Sequence, residues 1–418
     1  MLNRLKPKSE FSRNVLTLMT GTTIAQAIPI AISPILTRVY TPEDFGVFAL
    51  YISVASLLSV MATGRYELAI MLPKKDEDAI NIVALSIIIS FFVSFISFLI
   101  VFFFNAQITN LLGNPEISSW LYFIPLTVLL TGVYQSFNYW SNRKKQYKRL
   151  ATSRVVQSGT TSASNLAMGF GGFGSSGLIL GGILGQGVAT GVLGSSIFKS
   201  DLELFKKSVN SLKIFALGKR YIKFPKFDLV ASLLNVFSYQ VIMILFNIFF
   251  SATVAGYYYL TQRILSIPMA FIASAISDVF REEASKDFKE YGNAKNIYKA
   301  TFQKLFILGF IFSLILYFLA IDIFRIVFGE EWIVAGEYVQ ILTPLLFMKF
   351  ISSPLSFMLY IEEKQQLNLY SQVLFILSIT YSFFVSDNAY EVLNNIVTLF
   401  SLVYLYYLYI SAKIAKVF

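Results

Sequence analysis

Lysine and arginine fall almost entirely on alternate sides of a dozen apolar runs, a pattern that leaves one class of fold open. The runs are 15–37, 45–72, 80–104, 119–141, 150–172, 175–198, 226–249, 253–281, 301–320, 338–361, 367–386 and 392–412. Each has about 20 residues or more, enough to cross roughly 30 Å of hydrocarbon at about 1.5 Å per residue. With the N-terminus inside, the inner connections hold twenty-seven of the 34 Lys and Arg residues, and the outer ones only Arg38 and Arg325. The other five, Arg65, Arg154, Arg263, Lys304 and Lys349, lie within runs. This asymmetry predicts an all-α polytopic membrane protein with both termini in the cytoplasm.

A hydrophobic content of 56% with only 14% charged residues departs from soluble averages of about 45–50% and about 25%. The net charge of +10 sits in the inner connections, which suits orientation and anionic lipid rather than nucleic acid. The chain has no cysteine and no histidine. Thiolate chemistry is thereby excluded, and any proton coupling falls to carboxylates. Phe45, Phe48, Trp120, Tyr257, Tyr258 and Trp332 on one side, with Tyr139, Trp140, Tyr406 and Tyr407 on the other, are placed for two interfacial belts. Basic residues before Ala25-Gln26-Ala27 imitate a signal peptide, but the apolar run continues to Leu36, so a retained first helix is expected.

Three segments follow: a six-helix bundle over 1–198, an amphipathic inner linker over 199–225, and a second six-helix bundle over 226–418. In the linker, Leu202, Phe205, Val209, Leu212 and Phe215 alternate with lysines, as in an interfacial helix. A shift of 210 residues lays Tyr40–Phe48 onto Phe250–Tyr258, and the first two runs onto the seventh and eighth. Because six is even, such a duplication gives a parallel repeat, two bundles about a pseudo-twofold along the membrane normal with a cavity between them. That layout suits alternating access. The outer connections are short, 321–337 being the longest, which leaves little room for an enzyme's soluble domain.

Several motifs resolve into structural readings. Gly169–Gly174 satisfies G-x-G-x-x-G but lies at an outer turn, where no strand and phosphate-binding helix can flank it. Eleven of the 23 glycines lie between 169 and 194, and the spacing of Gly177, Gly181 and Gly185, and of Gly187 and Gly191, suggests close helix packing or a bendable hairpin. Asp76-Glu77-Asp78 resembles a metal-binding carboxylate pair, yet occupies a short turn beside Lys74 and Lys75. Gly218-Lys219 lacks the rest of a Walker loop.

Charges within runs carry the most information, since each costs a few kcal/mol at the bilayer centre. Arg263 is expected roughly 15 Å deep, Lys349 at similar depth, and Arg65 with Glu67 some 10 Å from the inner end of run two. On a continuous helix Arg65 and Glu67 diverge by about 200°, so they are not expected to pair. Arg154 and Lys304 are near enough to the surface to snorkel. A cavity with excess mid-depth cations attracts an anion, and guanidinium suits phosphate through forked hydrogen bonds. Gln26, Gln135, Asn138, Gln157, Asn165, Gln186, Asn235, Gln240 and Asn395 offer polar surface at similar levels.

The stretch Pro34-Ile35-Leu36-Thr37-Arg38-Val39-Tyr40-Thr41-Pro42-Glu43-Asp44-Phe45-Gly46, followed by Gly64-Arg65-Tyr66-Glu67-Leu68-Ala69-Ile70-Met71-Leu72-Pro73, resembles Wzx-type polysaccharide flippases of the multidrug/oligosaccharidyl-lipid/polysaccharide exporter superfamily. Most of the match lies in the first 80 residues; the second half agrees by layout. The resemblance implies a non-enzymatic translocase of undecaprenyl-diphosphate-linked oligosaccharide repeat units in a bacterial cytoplasmic membrane, serving O-antigen, lipopolysaccharide or capsule synthesis. It implies a cationic cavity, in which Arg65, Arg263 and Lys349, with Gln26 and Asn235, would hold the headgroup. Glu67 and Asp278 would sense a proton or sodium ion, and a polysaccharide polymerase and chain-length regulator would be partners. A multidrug exporter of the same superfamily and a membrane polymerase or ligase are the alternatives.

Overall fold

The computed structural model describes residues 10–362, 364 and 366–418, with the side chains of all but 10–16, 266–275, 278 and 368–369. The chain forms two compact units, Met1–Ile248 and Phe249–Phe418. The first holds α1 Glu10–Val39, α2 Pro42–Met61, α3 Asp76–Leu112, α4 Ile117–Leu121, α5 Ile124–Arg143, α6 Tyr147–Phe170, α7 Ser175–Ser208, α8 Ser211–Arg220 and α9 Leu229–Phe249. The second holds α10 Ala252–Tyr291, α11 Lys295–Phe328, α12 Ile333–Leu355, α13 Met358–Ile361, α14 Gln366–Val385 and α15 Ala389–Ile414.

Each of the twelve runs is largely helical, although run 45–72 leaves α2 at Met61 and runs 119–141 and 338–361 are each divided between two helices. Nine segments among the described residues are long and apolar enough to cross a membrane, and the other three runs fall on α6, α10 and α14. The apolar surface of α3 is turned outward: Phe91, Phe92, Phe95, Phe102 and Phe103 are exposed. A patch of that size has no place in water and is the natural lipid face of a spanning helix.

The 210-residue shift reproduces helix ends as well as sequence. α1 stops at Val39 and α9 at Phe249. Thr41 then caps α2, its hydroxyl accepting from the Asp44 amide at 3.2 Å, and Ser251 caps α10 by accepting from the Val254 amide at 3.2 Å. Both caps satisfy an amide that the first helical turn leaves without a partner. Beyond that point the halves differ, because α10 runs on to Tyr291 whereas α2 ends at Met61. Gly64, with φ 58°, makes the break. The shift puts Ser274 in its place, and the α10 backbone stays helical there.

In the first unit, the core gathers where the start of α3, the ends of α5 and α7, and α8 meet. Ile80, Ile82, Val83, Trp140, Leu193 and Ile197 are fully buried there, with Leu217 of α8 alongside. The linker is therefore part of the bundle. Residues 199–208 continue α7, and only α8 forms the separate amphipathic helix. Asn81, itself fully buried, holds the joint: its amide nitrogen donates to the Ser208 carbonyl and its oxygen accepts from the Asn210 amide, each at 2.8 Å.

The aromatic belts are corrected. Trp140 and Trp332 are fully buried, and Phe45, Phe48, Tyr258 and Tyr407 are buried too, while Tyr406 is exposed. Burying so much ring area inside a bundle outweighs interfacial placement. The Trp140 indole donates to Asp201 at 3.0 Å. In the second unit, Phe280, Leu305, Phe350, Leu355 and Met358 form the core, and the Tyr298 hydroxyl meets Ser411 Oγ at 2.8 Å to tie α11 to α15.

The glycines separate by environment. A Cβ at Gly181 meets Asn165 Oδ1, and one at Gly185 meets Thr161 Oγ1 and the Gln157 carbonyl, so side chains of α6 fill the space that a side chain at either glycine of α7 would need. Gly191 faces open space, and Gly187 only Leu130 at 3.8 Å. Gly181→Val should therefore cost about 1–3 kcal/mol through overpacking. Gly191→Ala should be neutral or stabilising by about 0.5–1 kcal/mol. Thermal melting of the purified protein in detergent compares them, and an unchanged midpoint for Gly181→Val would overturn this packing.

Candidate functional site

Between α2 and α3 the chain makes an elbow. Gly64 and Arg65 both take positive φ, 58° and 63°, and a 3₁₀ turn follows over Tyr66–Met71. A non-glycine residue in the left-handed region costs of order 1–3 kcal/mol and persists only where its surroundings hold it. Here they do. Arg65 Nη1 lies 3.2 Å from Glu67 Oε1, and Arg65 Nε donates to Asp228 Oδ2 at 2.6 Å. Thr63 Oγ1 donates to Glu67 Oε2, and the Tyr66 hydroxyl donates to the Gly218 carbonyl of α8 at 2.9 Å.

The divergence expected of Arg65 and Glu67 is thus corrected: it assumes α-helical spacing, and the left-handed pair swings the two side chains together. Arg65 is also not an uncompensated cation. Two carboxylates face one guanidinium, so the formal charge of the three groups is negative. Burial pushes the Glu67 carboxyl above its usual range, against the opposing pull of Thr63 and Arg65; the elbow lies between the spanning segments Pro42–Met61 and Asp76–Leu112. Tyr139 of α5 is within electrostatic reach of all three groups.

The burial is lopsided. The Glu67 side chain is 4% exposed, Arg65 26% and Asp228 41%. Asp228 closes a π turn, Phe224–Asp228, that leads from α8 into α9. Sequence reasoning missed it because it stands at the edge of run seven, 163 residues from its partner. A lone carboxylate in the first turn of a spanning run was the available signal.

The other sequence-predicted residues lie elsewhere. Gln26 is exposed on α1 and Asn235 on α9; Asn235 is seven residues, roughly 10 Å along the helix, from Asp228. Arg263 on α10 is half-buried and Lys349 on α12 is exposed, both in the second unit. The side chain of Asp278 lies outside the described residues. Gln157 and Gln186 do meet, amide to amide at 2.5 Å, and Gln240 accepts from Ser53 at 3.0 Å, which makes these three helix-to-helix contacts. Asp76, of the carboxylate pair, is engaged by Arg143 Nε and Lys144 Nζ, each at 2.8 Å.

Comparison with solved structures places this fold among transporters. The chain is similar to an inward-facing multidrug resistance MATE family transporter of the MOP superfamily, with TM-score 0.72, 14% identity and 95% of each chain covered. It is similar to the lipid II flippase MurJ in an inward closed conformation, with TM-score 0.70 and 15% identity over 96% of this chain and 87% of that one. A MOP superfamily transporter from Pyrococcus furiosus, whose binding pocket is described as reversed in polarity, matches with TM-score 0.62 and 14% identity over 97% and 96%. At such identities the likeness establishes the fold, the twelve-helix, two-bundle arrangement of these transporters. A comparison with curated sequences finds no match. The profile described as "Polysaccharide biosynthesis protein" matches residues 35–337, well over half of the chain, which therefore belongs to that family.

Proposed function

We propose that this protein is a flippase carrying undecaprenyl-diphosphate-linked oligosaccharide repeat units across the bacterial cytoplasmic membrane by alternating access. One coincidence carries the reading: membership of a polysaccharide biosynthesis family by a chain whose fold is that of exporters and of a lipid II flippase. A polymerase or ligase needs a place for acceptor chemistry, and the longest outer connection expected, 321–337, is taken up by the end of α11, a 3₁₀ turn over Glu330–Trp332 and the start of α12. In this reading both termini are cytoplasmic, the lipid tail stays in the bilayer, and cationic groups carry the diphosphate. Arg65, Arg263 and Lys349 are those groups; Gln26 and Asn235 offer polar contacts to sugars. Glu67 is the coupling carboxylate, since a buried acid with an elevated affinity for protons changes charge more readily than a surface one.

Reconstitution with a fluorescent lipid-linked oligosaccharide, scored by its accessibility to an impermeant quencher, tests the activity. Arg263→Gln and Lys349→Gln should each lower transfer at least tenfold while the protein still inserts, a loss that one charge-assisted contact accounts for. Wild-type rates in both variants would remove those residues from the mechanism. The excess of carboxylate over guanidinium at the elbow favours a second reading, an exporter of organic cations. Uptake of such a cation by the same vesicles, with no transfer of the lipid, would establish it instead.

A further inference from the structure

We propose that Asp228 occupies on Arg65 the position that a lipid-linked diphosphate takes during transport, so that Asp228 sets which anions the elbow accepts. This rests on the flippase reading above. Four features of the elbow point to it.

The contact is direct. Arg65 Nε meets Asp228 Oδ2 at 2.6 Å, while the same guanidinium reaches Glu67 more loosely, at 3.2 Å. The two carboxylates differ in access: Glu67, within the 3₁₀ turn, is buried and bonded to Thr63, whereas Asp228 is the more exposed partner. An incoming anion therefore approaches from the Asp228 side. Charge then demands exchange. With both carboxylates in place the cluster is net negative, and a diphosphate added to it would be repelled. With Asp228 withdrawn, Arg65 offers its Nε edge for a forked pair of hydrogen bonds, the geometry in which guanidinium prefers phosphate oxygens.

The fourth feature is mechanical. Asp228 ends a π turn that contains Pro225 and joins α8 to α9. Such a turn forgoes the regular i→i+4 bonding and occurs as a short, local irregularity, frequently at functional sites. α8 cannot follow if α9 shifts, because Asn81 pins its start and Tyr66 its Gly218 carbonyl. Release of Asp228 thus frees the beginning of α9 alone. A neutral sugar or a monoanion competes poorly with a carboxylate already held at 2.6 Å; a diphosphate, with more charge and paired oxygens, displaces it. The elbow in this way discriminates by charge, and reports occupancy to α9.

The test uses the full chain in nanodiscs and measures the dissociation constants of undecaprenyl diphosphate and undecaprenyl monophosphate. Asp228→Asn keeps the side chain's shape and removes the competing charge; Asp228→Ala is measured beside it, so that a folding defect in one does not decide the matter. Both variants should bind the diphosphate about tenfold or more tightly, the worth of one charge-assisted bond. They should also narrow its preference over the monophosphate. In an Arg65→Gln background, Asp228→Asn should give no gain. If Asp228→Asn and Asp228→Ala leave both constants and their ratio at wild-type values, or weaken binding, while Arg65→Gln abolishes it, the exchange is overturned and the diphosphate role of Arg65 stands. If Arg65→Gln binds the diphosphate as well as wild type, that role fails and the exchange with it.

Discussion

Arg65→Gln is expected to abolish export, with surface polysaccharide reduced more than tenfold in a strain whose only copy is the variant. The substitution removes the one cation of the elbow and leaves Glu67 buried with Thr63 as its remaining partner. Breaking a buried pair from one side costs about 3–5 kcal/mol when both groups are dry. Arg65 is 26% exposed and Asp228 41% exposed, so screening lowers the figure here to about 2–3 kcal/mol. The informative comparison is Arg65→Lys. Any non-glycine residue at this position adopts the same left-handed backbone, so the backbone cost is shared, and the lysine retains the charge. It lacks the fork. Lysine should recover most of the melting temperature and little of the transport. Full recovery of transport by Arg65→Lys would mean that charge alone suffices, and that guanidinium geometry has no role.

Asn81→Ala should free α8 from the first unit. Asn81 is fully buried and serves three backbone partners: it donates to the Glu77 carbonyl at 2.7 Å and the Ser208 carbonyl at 2.8 Å, and accepts from the Asn210 amide at 2.8 Å. Alanine strands two groups at the α7–α8 joint. Each such loss costs about 1–3 kcal/mol if water stays out. Lys213, Lys219, Arg220 and Lys223 lie in or beside α8 and are exposed, so limited trypsin digestion reads the release directly. Cleavage between 213 and 223 should accelerate at least tenfold, since about 1.4 kcal/mol of local stability already corresponds to that factor. Wild-type digestion kinetics would show that Leu217 and Tyr66 hold α8 without Asn81.

Much of this architecture was readable along the chain. Helices appear at the dozen apolar runs, and nine described segments are long and apolar enough to span by themselves, because hydrocarbon thickness is a local demand. The capped starts of α2 and α10 were readable for a similar reason. Thr41 and Ser251 each satisfy an amide only three residues away, and the 210-residue repeat shows both. The family resemblance, concentrated in the first 80 residues, extended the reading from fold to biosynthetic role.

The site was less legible. Treating residues 45–72 as one helix placed Arg65 and Glu67 on different faces, whereas the adjacent left-handed residues Gly64 and Arg65 bring them together. Glycine was visible there, but a glycine within an apolar run fits a close helix contact as well as a break. Only the neighbours decide. The same holds for the hairpin glycines: 181 and 185 are pressed against Asn165 and Thr161, while 191 is open, although all share one spacing. Trp140 and Trp332, placed at membrane borders by sequence position, are core residues because adjacent helices cover them.

The amino-acid sequence by itself determined that this protein spans a membrane repeatedly and roughly where its apolar helices lie, since solvation of a segment by oil depends on that segment's own residues. The tertiary structure alone decided that a guanidinium near the end of α2 answers to a carboxylate at the start of α9, 163 residues away. Electrostatic pairing acts through space, and no local pattern encodes which distant group will arrive within a hydrogen bond's reach.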